Sequence, residues 1–170
     1  MIETQRLTIR EFTQDDFEGF ASLVADPEVM RFSLKGPLDQ EEAKKYFQSR
    51  ILAHYQENGF GLWALVLKEE KTLIGFAGLI TQEIEGKKKI ELAYRLLPTY
   101  WGRGLASEAA NAISEYAFTK LQLKDLISII DTANHRSLLL AKRLGMNSLK
   151  KTQFHGFEVF VYARSNPYHR

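Results

Sequence analysis

Three apolar-rich segments, residues 60–67, 73–83 and 88–97, follow one another with only short turn-forming stretches between them, at Lys68–Lys71 and Glu85–Lys87. Connections that short join antiparallel strands, because a parallel pair needs a crossover of about a dozen residues or more. The chain is therefore committed to a sheet at its centre. Pro98 stops the third segment. Beyond a short loop, residues 104–121 take up helical spacing, with Leu105, Ala109, Ala112, Ile113, Tyr116 and Ala117 on one face.

The flanking segments supply partners for that sheet. Arg6-Leu7-Thr8-Ile9-Arg10 alternates with period two and reads as a first strand. Thr13-Gln14-Asp15-Asp16 resembles a capping box opening a helix with Phe17, Phe20, Leu23 and Val24 on one face, and Asp26-Pro27 breaks it. Asp39 caps a second helix, roughly residues 40–57, that ends before Asn58-Gly59. After the central helix, Leu126–Ile130 reads as a buried strand. Asn134 then opens a helix that ends at Gly145, and two strands at about 147–152 and 157–164 complete the chain. The expected order is β-α-α-β-β-β-α-β-α-β-β, a mixed α/β (α+β) arrangement. At 170 residues with no repeat or linker, one domain spanning 1–170 is the expectation.

Composition removes several classes of function. No apolar run approaches the roughly 20 residues that span a bilayer. Met1 is followed by Ile2-Glu3-Thr4-Gln5-Arg6, without the basic-then-apolar pattern of a leader. The chain has no cysteine, which excludes disulfides, thiolate metal sites and a thiol nucleophile. A cytoplasmic location is expected, with no membrane association. The net charge of +2 is too small to argue for direct nucleic-acid binding. Lys87-Lys88-Lys89 reads as a solvated hairpin tip or a contact for an acidic partner. The four histidines (54, 135, 155 and 169) lack metal-ligand spacing, so no metal is expected.

The most informative stretch is Leu97-Pro98-Thr99-Tyr100-Trp101-Gly102-Arg103-Gly104-Leu105-Ala106-Ser107. A strand ends, a loop of small residues follows and a helix begins. The first amides of a helix have no internal partner, and the dipole there favours negative charge. Gly102, Gly104 and Ala106 lack bulk, so a phosphate can approach the backbone. A plain strand-to-helix turn accounts for the same glycines. A P-loop needs Gly-Lys followed by Ser or Thr, which is absent here. A dinucleotide fingerprint needs Gly-x-Gly-x-x-Gly directly after a strand, whereas position 107 is serine and Pro98–Trp101 intervene.

Gly104-Leu105-Ala106 resembles the end of the Gln/Arg-x-x-Gly-x-Gly/Ala acetyl-CoA signature of the GNAT superfamily. Trp101 stands at its first position. Thr4–Arg10, Asp26–Arg31, and Asn134–Ser137 leading to Lys142–Gly145 resemble the branch containing the ribosomal-protein alanine acetyltransferases RimJ and RimL. The likeness runs from about residue 3 to 163. It implies the GNAT fold, a central and mostly antiparallel sheet with helices on both faces, and acetyl-CoA as cosubstrate. It further implies that the strand before the glycine turn splays from the next one, with the pantetheine arm in the gap, and that the backbone of Tyr94 and Leu96 meets the acetyl carbonyl and the arm, with the Tyr94 amide as oxyanion donor. Amides from Gly102 through Arg103, Gly104, Leu105 and Ala106 to Ser107 hold the pyrophosphate, with Arg103 adding charge. Asn134 contacts the arm and Ser137 lies near the departing sulfur. Many relatives carry a tyrosine four positions beyond this serine, where the present chain has Ala141. Direct attack by an amine through a tetrahedral intermediate needs no covalent enzyme intermediate.

How much base catalysis is needed depends on the amine. An α-amine with a pKa of about 7.7–8.0 is very roughly a tenth neutral at pH 7, whereas a lysine amine is neutral less than about one part in a thousand. A protein N-terminus, ribosomal-protein-like, is the acceptor this branch implies. A polyamine, amino acid or aminoglycoside stays open, as does a non-catalytic acyl-CoA sensor. Glu91, on the strand beside the expected acetyl site, is the candidate base, against a plain surface carboxylate. Helix capping alone explains Asn134 and Ser137. Trp63 is a candidate for an acceptor channel and Arg31 for meeting an acidic acceptor group, against core packing and a solvated charge. A homodimer is plausible from family habit.

Overall fold

The computed structural model describes residues 1–169. The chain opens with a short strand, β1 (Ile2–Glu3), which the period-two reading did not anticipate, and turns into β2 (Leu7–Arg10). Thr13 and Asp16 form the expected capping box, leading through a 3-10 turn into α1 (Phe17–Ala25). Asp39 and Glu42 form a second such box at α2 (Gln40–Tyr46). The expected single helix then widens into a π-helical segment, Phe47–Leu52, before resuming as α3 (Ala53–Asn58). Gly59 ends α3 at φ 73°, its N–H donating to Tyr55 O at 2.9 Å.

β3 (Leu62–Leu67), β4 (Thr72–Ile84) and β5 (Lys87–Leu96) form the central antiparallel meander. Between β4 and β5 the turn is Glu85-Gly86, with φ of 49° and 73°, positive at both positions as a type I′ hairpin demands. The basic run therefore begins β5 and does not form the tip. Lys87 and Lys88 are exposed, and Lys89 Nζ pairs with Asp125 at 3.0 Å. A 3-10 turn at Pro98–Tyr100 leads to α4 (Leu105–Thr119), followed by β6 (Asp125–Asp131) and α5 (His135–Arg143). The hairpin β7 (Asn147–Phe154) and β8 (Phe157–Ser165) closes the chain.

All eight strands lie in one sheet, in the order β1-β2-β3-β4-β5-β6-β8-β7. Alternation along the strands divides the core in two. Leu7, Ile9, Trp63, Leu65, Leu67, Leu92 and Leu96 face α4 and α5, meeting Ala109, Ile113 and Leu140. Leu62, Ala64 and Phe76 face α1 and α2, where Phe12, Phe20 and Phe47 pack with ring centroids 5.1–5.7 Å apart.

β5 and β6 run parallel, with α4 as their crossover, and their register consists of one pair, Glu91 with Ile127. On its other side β5 pairs with β4 as far as Leu96, and β6 pairs with β8 to its end at Asp131. Past Glu91 and Ile127 each strand keeps its outer partner while the two diverge. The sheet is open at its middle.

The strands beside this opening are packed to backbone contact. A Cβ on Gly78 of β4 would lie 2.0 Å from Gly61 O. Gly78→Ala should therefore force β3 and β4 apart and lower the unfolding free energy by about 1–3 kcal/mol. Urea denaturation measures this, and an unchanged midpoint would show that the strands have room to move.

Candidate active site

The divergence of β5 from β6 leaves specific backbone groups unpaired. Leu97 N–H donates to Ile74 O at 2.9 Å, so the odd-numbered residues of β5 turn their amides toward β4. The even-numbered residues, Leu92, Tyr94 and Leu96, turn theirs toward the opening. Two of the carbonyls there are taken: Ser128 Oγ donates to Leu92 O at 3.0 Å and Trp101 Nε1 to Leu96 O at 2.9 Å. The Tyr94 peptide groups and the Leu96 N–H face the opening. The indole of Trp101, at the position where the family signature has Gln or Arg, closes the far end of β5.

The glycine turn lies beyond that end. Gly102 and Gly104 both have positive φ, 72° and 75°, so the chain enters α4 through two left-handed residues. Gly104 is the N-cap and offers no side chain to the helix. Among the described residues, none of the amides from Gly102 to Ser107 donates a hydrogen bond. A Cβ on Gly102 would meet nothing within 4 Å, so the approach to these amides is open. Leu105 is buried in the core, which leaves its amide as its contribution to the site, while Ala106 and Ser107 are half-buried. Arg103 is exposed, its guanidinium 5.5 Å from the Tyr100 ring centroid. Arg136, from α5, lies 4.3 Å over the Trp101 ring.

Sequence reading missed what holds this turn in place. Glu108, in the first turn of α4, accepts from Thr4 Oγ1 (2.7 Å), Arg6 N (2.8 Å) and Arg6 Nε (2.7 Å). Arg6 Nη1 also donates to Arg103 O at 2.8 Å. The Thr4–Arg10 segment was recognised as part of a resemblance, but nothing in its spacing connects it to residues a hundred positions away.

A cavity of about 690 Å³ passes through the opening and brings Glu91, Tyr94, Asn134 and Ser137 together. Glu91 lies on the α1–α2 face of β5, 9% exposed, and accepts from Gln82 Nε2 at 2.9 Å. Burial pushes its carboxyl up to about 7; the Gln82 hydrogen bond, the Ile129 amide and the Arg95 charge restrain the rise. Tyr94 projects to the opposite face, with its hydroxyl toward Ser137. Burial raises that phenol to about 12, so it stays protonated at neutral pH. A protonated phenol therefore stands next to Ser137, whereas Ala141 is packed in the core. Asn134 caps α5, its Oδ1 accepting from Ser137 N at 3.3 Å, and also lines the cavity.

Two sequence candidates lie elsewhere. Trp63 alternates with Leu65 and Leu67 onto the α4 face, buried edge-on against Tyr116 at 5.7 Å, so it belongs to the core and not to an acceptor channel. Arg31 is exposed outside the cavity lining, its guanidinium 5.2 Å from the neighbouring Phe32 ring. The cations that do line the cavity are Lys35, Lys45, Arg50 and, on β5 itself, Arg95. Among the described residues, no group of three or more His, Cys, Asp or Glu could hold a metal ion. Among the same residues, no helix is long and apolar enough to cross a membrane.

Glu91 imposes a cost on the fold that depends on pH. The folded carboxyl keeps its proton to about pH 7, whereas its ordinary value is 4.5, so stability falls as pH rises between those limits and levels above them. That interval corresponds to about 3 kcal/mol. Glu91→Gln should remove this component. The difference in unfolding free energy between variant and wild type should shift in the variant's favour from pH 4 to 7 and then stay constant. A difference independent of pH would show that Glu91 titrates normally.

Comparison with known proteins agrees with this geometry. The profile of a family described as acetyltransferase (GNAT) domain matches residues 6–147. The chain is 30% identical to the uncharacterized N-acetyltransferase YnaD of Bacillus subtilis over 145 residues, covering 85% of this chain and 81% of that protein. An acetyltransferase (GNAT family) from Bacillus anthracis superimposes with a TM-score of 0.81 at 24% identity, over 97% of this chain and 98% of the other. Spermidine N-acetyltransferase from Vibrio cholerae, solved with CoA and spermine, superimposes with a TM-score of 0.78 at 18% identity, over 96% and 97% of the two chains. The chain belongs to the GNAT family of N-acetyltransferases, enzymes whose acetyl donor is acetyl-CoA.

Proposed function

We propose that this enzyme acetylates a primary α-amine, presented by a protein or peptide N-terminus, by direct attack within the opening between β5 and β6. The observation that carries this reading is the position of Glu91. It is a buried carboxyl with a pKa of about 7, in the same cavity as the unpaired Tyr94 peptide. An α-amine titrates near 7.7–8.0, so a base close to neutrality is matched to it. The likeness of residues 4–10, 26–31 and 134–145 to the ribosomal-protein alanine acetyltransferases supports an N-terminal acceptor.

Acetyl-CoA supplies the acetyl group as a thioester. The free amides of Gly102 to Ser107, with Arg103 beside them, suit its pyrophosphate. The Leu96 N–H and Asn134 line the path of its arm. The Tyr94 N–H donates to the thioester oxygen, where negative charge develops as the amine attacks. On the α1–α2 side Glu91 takes the proton that the amine loses as the C–N bond forms. On the other side the Tyr94 hydroxyl, through Ser137, donates a proton to the sulfur as the C–S bond breaks. The division of labour follows from the pleat: adjacent residues of β5 face opposite sides of the sheet, and the reacting carbon lies between them.

CoA release measured with a thiol-reactive dye tests this reading. The chain has no cysteine, so every thiol detected comes from the reaction. With an N-terminal peptide as acceptor, the wild-type rate should rise through about pH 7 as Glu91 ionises. Glu91→Gln should lower kcat by about 100-fold or more, lose that rise, and leave acetyl-CoA affinity unchanged. A variant with full activity and the same pH profile would remove Glu91 as the base. Silence with every amine while acetyl-CoA still binds would favour a sensor of the cofactor.

A further inference from the structure

Arg95 has no role in the mechanism above, yet it is placed where a charge is costly. It lies four residues beyond Glu91 on the same face of β5, about 13 Å along the strand, and lines the same cavity. It is half-buried, and its main perturbation is loss of solvent, which lowers its pKa. Burying a cation without an anion is unfavourable unless its donors are satisfied. Among the described residues, Arg95 forms no ion pair. It makes one hydrogen bond to the protein, Nη1 to Val29 O at 3.2 Å, from a group that carries five donors. Among the described residues no fully buried side-chain nitrogen lacks a partner, so its other donors keep some exposure, and Arg95 lines the cavity.

The surroundings reinforce that charge. Tyr46, which also lines the cavity, feels the Arg95, Arg50 and Glu91 charges together, so these groups cluster around one volume. Arg50 sits on the π-helical segment and, like Lys35 of the lining, has no carboxylate partner among the described residues. The other carboxylates of the lining are committed locally: Glu42 accepts from Asp39 N at 3.0 Å and Asp131 from Ala133 N at 2.8 Å. This side of the cavity presents guanidinium groups that form no ion pair among the described residues, with Glu91 the nearest carboxyl acting on Arg95.

We propose that the acceptor is an anionic amine, whose carboxylate docks on Arg95 with Arg50 beside it while its amine meets Glu91. The proposal rests on the acetyl-transfer reading and names the acceptor class for that site. The separation along β5, shortened by the reach of both side chains, suits an acidic side chain near a peptide N-terminus or the far carboxylate of a free acidic amino acid. A polyamine would place cations against Arg95 and Arg50. Arg31, the cation that sequence reading assigned to an acidic acceptor, lies outside this volume, and Arg95 takes that role.

Acceptor kinetics and a binding measurement independent of turnover test this together. The acceptors are three tripeptides differing only in Glu, Gln or Lys at the second position, with free glutamate and spermidine. The Glu peptide or glutamate should exceed the Gln and Lys peptides and spermidine by at least about tenfold in kcat/KM; whichever leads identifies the source of the carboxylate. Arg95→Gln should erase that preference through the acceptor KM, with acetyl-CoA affinity intact, and Arg95→Lys should restore part of it. In parallel, the N-acetylated Glu peptide is titrated calorimetrically into CoA-saturated protein, where Arg95→Gln should lose binding. Preference for spermidine or the Lys peptide, or an Arg95→Gln variant unchanged in both measurements, overturns the proposal. Arg95-dependent binding of the acidic peptide without CoA release from any amine would leave the anion site standing and remove the acetyl-transfer reading instead.

Discussion

Parallel neighbours in a sheet gain a hydrogen bond at nearly every residue, so two strands that meet and then part forgo that gain over the rest of their length. β5 and β6 do this. They are joined at Glu91 and Ile127, and each is then held by its outer neighbour while the pair separates. Ser128 occupies the Leu92 carbonyl with its hydroxyl and Trp101 occupies that of Leu96 with its indole, so the exposed edge is partly satisfied. What stays unsatisfied is the backbone of Tyr94 and the Leu96 N–H, and these are the groups that the proposed mechanism gives to the ligand. The cavity, the two-sided placement of Glu91 and Tyr94, and the approach to the glycine turn all follow from this separation.

A second constraint fixes the helix that begins at the end of β5. α4 must start at the end of β5 with its first amides unused, although a free helix end invites fraying. Two left-handed glycines aim it, and the Thr4–Arg6–Glu108 cluster holds it, with Arg6 also binding the Arg103 carbonyl. The capping role that a side chain would normally take is thus moved behind the helix, and its front is left open. Glu108 spends its charge on Arg6, so the cations near the turn that stay uncommitted are Arg103 and Arg136.

Much of the scaffold was legible in the sequence because its signals are local. Capping boxes at Thr13 and Asp39, turn residues at Glu85-Gly86 and the glycines after α3 and α5 each act within a few positions. The features that were not legible depend on elements distant in the chain. The separation of β5 from β6 leaves no mark on either strand, since both read as apolar segments, and the family resemblance alone implies it. The π-helical widening at Phe47–Leu52 interrupts a helix whose pattern is continuous. Taken alone, Trp63 suits either an acceptor channel or the core, and alternation with Leu65 and Leu67 commits it to the core face. The same alternation, applied to β5, would have placed Arg95 beside Glu91. The contact between the Tyr94 hydroxyl and Ser137 joins a strand to a helix some forty residues later, and only the fold brings them together.

The Tyr94 amide connects the geometry to the chemistry, because a thioester carbonyl that accepts a hydrogen bond in the opening is polarised before any amine arrives. The infrared spectrum of acetyl-CoA labelled with carbon-13 at the acetyl carbonyl reports this directly. A carbonyl stretch that moves to lower frequency on binding the protein is the expected result. A stretch unchanged from that of acetyl-CoA in water, with the ligand bound, would mean that the thioester gains no polarising contact from the protein and that the opening between β5 and β6 does not hold the reacting group.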